Sequence, residues 1–117
     1  MTNAERRAIE QEILKYKSPY DSRRDFVWNE DKVSFSGSLF IDGGGMLKID
    51  NLTTIGGYLS VYSKATLSAL TTIGGYLSIH NNGSLNADNL TTIGGNLYIV
   101  GNGALNADRL TTIGGTK

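Results

Sequence analysis

The sequence predicts a mainly β protein: a right-handed parallel β-helix of about four coils with an α-helix at its N-terminal end. Three observations predict it. The hexapeptide LTTIGG begins at Leu52, Leu70, Leu90 and Leu110 without a change. The apolar residues after the first three copies alternate with polar ones, which is the period of a strand. Charge is divided unevenly: residues 1–32 hold 14 of the 22 charged side chains, so the repeat half is nearly uncharged yet regular in Leu and Ile. Low charge with regular large apolar residues belongs to a folded repeat rather than to a disordered segment.

The chain divides into residues 1–32, an N-terminal helix and capping segment, and residues 33–117, the solenoid repeats. Thr2 and Glu5 stand at capping-box spacing, where the hydroxyl and the carboxylate each serve a free helix N–H. Ile9, Ile13 and Tyr16 follow at helical spacing and make one apolar stripe among charged neighbours. Lys15 and Lys17 suit the negative end of the helix dipole, and Pro19 sets the helix end near Lys17. Tyr20, Phe26 and Trp28 then lie in an extended link, available to pack over the first coil.

Aligned copies give rungs at Leu52–Ala69, Leu70–Asn89 and Leu90–Arg109, of 18, 20 and 20 residues. The short rung reads as lacking two residues after Ala69. An earlier, degenerate rung fits Lys32–Asn51, with Phe35 in the Ile place, Gly37 in the second Gly place, and Leu39, Ile41, Leu47 and Ile49 in the later apolar places. A fifth rung begins at Leu110. Within the third, Leu77-x-Ile79 and Leu85-x-Ala87 read as two strands, and Asn81, Asn82 and Gly83 between them tolerate a tight turn. The Gly pair at 74–75 is read as the corner that turns the chain. One coil cannot bury its own apolar row, whereas stacked coils cover one another.

The stretch LSIHNNGSL carries L-x-I-x-x-N-x-x-L at Leu77, Ile79, Asn82 and Leu85. It resembles the repeats of bacterial proteins similar to receptor L domains, β-helical relatives of leucine-rich repeats in which LTTIGG-x-L-x-I phrases recur about every 20 residues. The resemblance covers residues 33–117. It departs from the ordinary leucine-rich pattern in its I-G-G-x-L spacing and in having no helical segment, so the fold class is written as a β-helix or leucine-rich-repeat-like solenoid. Lys64 replaces the Asn in the short rung, so no complete Asn ladder is expected. The resemblance implies binding rather than catalysis and names no ligand. Similar repeats also look like those of phage and prophage accessory proteins.

If Leu and Ile of each L-x-I strand point inward, their neighbours point outward. Three outward columns follow: Ser38, Tyr58, Tyr76, Asn96; then Phe40, Ser60, Ser78, Tyr98; then Asp42, Tyr62, His80, Val100. Phe40, Tyr58, Tyr62, Tyr76, His80 and Tyr98 are the candidate protein-binding face, because aromatic side chains with a polar tip suit interfaces. Aromatics also favour strands and stack on one another for stability alone, the plainer reading of the same pattern.

Catalysis has little to stand on. His80 is the single histidine, with no acid in phase except Asp42 two rungs away, and no Ser or Thr is singled out as a nucleophile. The Gly pairs lack the Lys-Ser/Thr and the helix of a phosphate loop. Asp50, Asp88 and Asp108 make an acidic column whose spacing within a coil does not suit the known calcium-binding β-helix repeats. No catalytic residue, cofactor site or metal site is expected, and the protein is read as a non-enzyme. Cysteine is absent and formal net charge is zero, which excludes a disulfide framework and gives no electrostatic reason to bind nucleic acid. The Thr pairs, from Thr53–Thr54 to Thr111–Thr112, are adjacent rather than Thr-x-Thr, and so suit corner hydrogen bonds better than an ice-binding array.

The opening residues carry no apolar signal core, and no run approaches the ~20 residues of a membrane span. The expectation is a small cytoplasmic accessory protein that binds a protein partner through its aromatic face. A concrete version is a phage-encoded inhibitor of a host defence enzyme, of the anti-CRISPR kind, acting in the host cytoplasm. An adhesin fragment and an ice-binding β-helix are the alternatives. Leu110 and Ile113 begin a coil with no capping element behind them, so a homodimer through this C-terminal edge is also expected.

Overall fold

The computed structural model describes residues 1–116; Lys117 lies outside them. The helix α1 (Asn3–Leu14) is followed by a hairpin of β1 (Phe26–Asn29) and β2 (Lys32–Phe35). Coil one continues with β3 (Leu39–Ile41) and β4 (Met46–Lys48). Coil two holds β5 (Leu52–Ile55), β6 (Leu59–Val61) and β7 (Lys64–Thr66); coil three holds β8 (Thr72–Ile73), β9 (Leu77–Ile79) and β10 (Ser84–Asn86). Coil four holds β11 (Thr92–Ile93), β12 (Leu97–Ile99) and β13 (Ala104–Asn106), and β14 (Thr112–Ile113) opens the next. The protein is a parallel β-solenoid of about four turns with one N-terminal helix. No helix among the described residues is long and apolar enough to cross a membrane.

Three sheets form the sides of the prism. The first runs β1-β2-β5-β8-β11-β14, the second β12-β9-β6-β3 and the third β13-β10-β7-β4. All pairings are parallel except β1 with β2. Like residues therefore stack on like: Leu39, Leu59, Leu77 and Leu97 form one inward row, and Phe35, Ile55, Ile73, Ile93 and Ile113 another. Most of these positions are fully buried in one continuous core. The degenerate rung joins with Phe35 beside Ile55 as expected, but Val33 rather than Lys32 lies beside Leu52, and Leu47 lies beside Ala65 rather than Leu67.

Register corrects one expectation. The two residues missing from coil two are not lost after Ala69. Val61 pairs with Ile79 and Lys64 with Ser84, so two residues, Tyr62 and Ser63, span a corner that takes His80 to Gly83 in the next coil. Ala65, not Leu67, therefore lies beside Leu85. The corner absorbs the deletion because a corner has few inward side chains to misplace, whereas a shift within a strand would turn its apolar row outward.

The Gly pairs are the corners expected, bending the chain from the first sheet to the second, but a left-handed backbone is not why glycine stands there. None of them takes a positive φ. A Cβ on Gly74 or Gly94 would press into the carbonyl oxygen of the glycine one coil earlier. Glycine is needed there for close approach of backbone to backbone, as each pair sits against the previous pair through bonds such as Gly75 N–H to Gly57 O at 2.8 Å.

The N-terminal end is closed by residues outside the repeat. Thr2 and Glu5 form the expected capping box. The helix ends at Leu14, earlier than Pro19 alone would set, because the next residues pair with β3: Phe40 donates to Tyr16 O at 2.7 Å and Ser18 donates to Ser38 O at 2.8 Å. Ile13 is fully buried against the first coil. The stretch read as an extended link contains β1, whose Trp28 donates Nε1–H to Glu10 at 2.8 Å and lies under the Arg6 guanidinium. Helix and hairpin thus clasp each other over the core.

Candidate functional site

The second sheet carries the candidate face. In β6 and β9 the outer residues Leu59, Val61, Leu77 and Ile79 point into the core, which sends the flanking and central side chains outward. The central column pairs Phe40 with Ser60, Ser60 with Ser78, and Ser78 with Tyr98, as the sequence predicts.

The six predicted residues form two ring stacks rather than one continuous patch. Tyr58 and Tyr76 stack with centroids 4.6 Å apart and planes 3° from parallel, and Tyr98 meets Tyr76 edge-on at 6.3 Å. Tyr62 and His80 stack at 4.4 Å and 8°, with Phe40 on the other side of Tyr62 at 5.0 Å. The three stacked separations are close to the ~4.8 Å between neighbouring strands, so one ring rides on each coil. Parallel rings at that distance face each other along the solenoid axis.

Between the stacks run Ser60 and Ser78, only 4% and 3% exposed, their hydroxyls 2.9 Å apart. Small residues here let the rings on either side close over the sheet, while the mutual hydrogen bond satisfies both hydroxyls beneath them.

A second set of residues, which sequence reasoning missed, fixes the N-terminal end of the face. Ser18 is buried and its hydroxyl hydrogen-bonds with that of Tyr58. Tyr58 N–H donates to Ser38 Oγ at 2.9 Å, and Ser38 Oγ–H donates to Asp21 at 2.6 Å. Arg23 grips the same carboxylate through Nε and a terminal nitrogen, at 3.0 and 2.8 Å. The bonds from Arg23 and then Ser38 hold the Asp21 carboxyl well below the usual carboxylate range. The only advance signal was Ser38 heading a column that Tyr58 continues. At the other end, Asn96 in the tyrosine column donates to the Tyr98 hydroxyl at 2.5 Å.

No acid reaches His80: the two ion pairs among the described residues are Lys15–Glu12 and Arg23–Asp21. The Thr pairs lie along the first sheet. Thr53, Thr71, Thr91 and Thr111 each donate a hydroxyl to a carbonyl one coil earlier, on Val33, Thr53, Thr71 and Thr91 respectively. Those donors serve the corner. Beside them is a shallow groove at Ala69, where Asn51 and Asn89 in the neighbouring coils each send an amide N–H to a carbonyl one coil earlier, at 2.8 and 2.7 Å. Ala69, which has no amide, cannot make this bond. The Asn ladder is partial, as expected, but not because Lys64 takes the Asn place: Asn102 donates to Asn82 and Asn106 to Asn86, while Lys64 lies beside Ser84 and the shortened corner of coil two has no residue beside Asn82.

Leu110 and Ile113, the predicted edge residues, pack half-buried against the end of the core. Ile99 in the same last turn is 47% exposed, and Leu97 N–H is met by Thr116 O at 2.8 Å. No family model, curated protein or solved structure matches the sequence.

Proposed function

We propose that the protein is a non-enzymatic interaction module that binds a protein partner through Phe40, Tyr58, Tyr62, Tyr76, His80 and Tyr98. The observation that carries this reading is the pair of ring stacks standing on one sheet, one ring to each coil, with Tyr98 43% exposed at the end of its stack. Rings already stacked lose little further freedom on binding, which favours affinity. The repeat also separates two roles: LTTIGG is invariant and builds the scaffold, while the positions just after it change from coil to coil. The narrower form, a cytoplasmic phage accessory protein that occludes a host defence enzyme, draws on the resemblance of the repeats.

The test compares capture of a binding partner by the native protein and by Tyr58→Ser/Tyr76→Ser/Tyr98→Ser, with circular dichroism confirming that both are folded. Loss of about 2 kcal/mol or more of binding supports the face. Undiminished capture by the triple variant rejects it. For the narrower form, restored phage plaques on an immune host that expresses the protein is the expected result.

A second contact is supported by the half-exposed Ile99 and the partly covered Leu110 and Ile113. With the opposite end closed by α1 and β1, only like ends can meet, giving a closed two-fold pair. Light scattering should show a dimer that Leu110→Asp/Ile113→Asp dissociates; a strict monomer of the native protein would reject it.

A further inference from the structure

Two Asn-Gly dipeptides occupy the same corner of consecutive coils, Asn82–Gly83 after His80 and Asn102–Gly103 after Val100. We infer that Asn102 is a site of spontaneous deamidation, and that the fold protects Asn82 from the same reaction. Neither corner needs the aromatic face to bind anything for this to hold.

The chemistry needs no partner but water. The backbone nitrogen of the glycine loses its proton and attacks Cγ of the preceding asparagine, forming a five-membered succinimide. The bond from Cγ to Nδ2 breaks and ammonia leaves. Water then opens the ring at either carbonyl, giving aspartate or isoaspartate. Asparagine is thermolabile for this reason, and a following glycine leaves the attacking nitrogen unhindered and its backbone free to turn.

The two corners differ in how far they allow this. Gly83 is buried, its N–H donates to His80 O at 2.9 Å, and its carbonyl receives Ala104 N–H at 3.0 Å. A Cβ there would meet Val61 O at 2.5 Å, a measure of how tightly the corner is seated. Gly103 is only half-buried and its N–H reaches Val100 O at 3.4 Å. Its carbonyl receives no backbone hydrogen bond among the described residues. Attack at Gly83 requires local opening of a corner tied on both sides, whereas Gly103 is tied on one.

A side-chain hydrogen bond couples the sites. Asn102 donates its amide to Asn82 Oδ1 at 3.2 Å. Deamidation of Asn102 removes that donor and sets a carboxylate against Asn82 Oδ1, so the earlier corner loses a restraint and reacts faster afterwards. The product places a negative charge at the rim of the column that holds Tyr62 and His80.

The experiment is incubation of the full-length protein at mildly alkaline pH, with peptide mapping and isoaspartate-specific methyl transfer. The folded protein should gain about one mass unit at Asn102 first, with Asn82 slower by about tenfold or more, a ratio set by the extra opening step. In denaturant the two sites should react at similar rates. Asn102→Gln, which would need a six-membered ring, should lose the fast phase. Equal rates in the folded protein, Asn82 reacting first, or an unchanged fast phase in Asn102→Gln would each overturn the inference.

Discussion

The first and last turns of the solenoid are built from the same inward positions and have different fates. Ile41 in coil one is fully buried, while Ile99 in the same row of coil four is 47% exposed. Leu47 is fully buried, while Leu105 in its row is only half-buried. The strands of the two turns are alike; what differs is what lies on them. Coil one is covered by α1, β1 and the Tyr16–Ser18 segment, none of which the repeat encodes. A coil in this protein is therefore half of a contact, and its stability belongs to the pair it makes with its neighbour.

The largest test of that contrast is truncation within one row. In the separate protomer, below the concentration at which the proposed dimer forms, Ile41→Ala should cost about 2–5 kcal/mol and Ile99→Ala under about 1 kcal/mol, because the first leaves a cavity and the second trims a side chain half in water. Urea midpoints at unchanged slope would measure both; equal losses would mean that the last turn is covered in solution. Next in size is the tie between the N-terminal segment and the face. Tyr58→Phe removes the hydroxyl that Ser18 holds and should cost about 1 kcal/mol, whereas Tyr76→Phe should be near neutral.

Acid should loosen the same end. The Asp21 carboxyl is held below its usual range, so its contribution is fully present above the ordinary unfolded value, near pH 4. It is lost progressively as pH falls from there through the lower folded value. Asp21→Asn should flatten that part of the stability profile and leave the region above it unchanged in shape. The smallest expected effect is a gain: Ala69→Asn should donate to the Asp50 carbonyl, the counterpart of the bonds from Asn51 to Asp31 and from Asn89 to Ser68, adding about 0.5–1 kcal/mol.

The solenoid was legible because its signal repeats: Leu77-x-Ile79 after Ile73-Gly-Gly can be checked against a copy in every coil. The capping box was legible because Thr2 and Glu5 are three residues apart. What escaped was decided by contacts distant in sequence. Leu67 and Ala65 both continue a period-two pattern after Val61, and only the pairing of Lys64 with Ser84 tells which is in register. The helix end was misplaced because Lys17 bridges to Leu39, a partner that no local rule names. The columns of the face followed from strand alternation, yet its division into two stacks did not. That depends on Ser60 and Ser78 being small enough for the neighbouring rings to lean over them. Ser18 and Asp21 joined the face through Tyr58 and Ser38, and nothing periodic marks them.

The in-register stacking of near-identical coils also makes length a separable property of this protein. Residues 70–89 begin and end at the same point of the cross-section, so a duplicate of that segment would slot between coils three and four with every row continued. The prism would lengthen by about 4.8 Å and carry one more ring in each stack, with neither end altered. Recombination between the repeated stretches of the gene would supply such variants in a single event. The reach of the aromatic surface can thus be adjusted in whole steps, like the teeth of a comb, without redesigning a core.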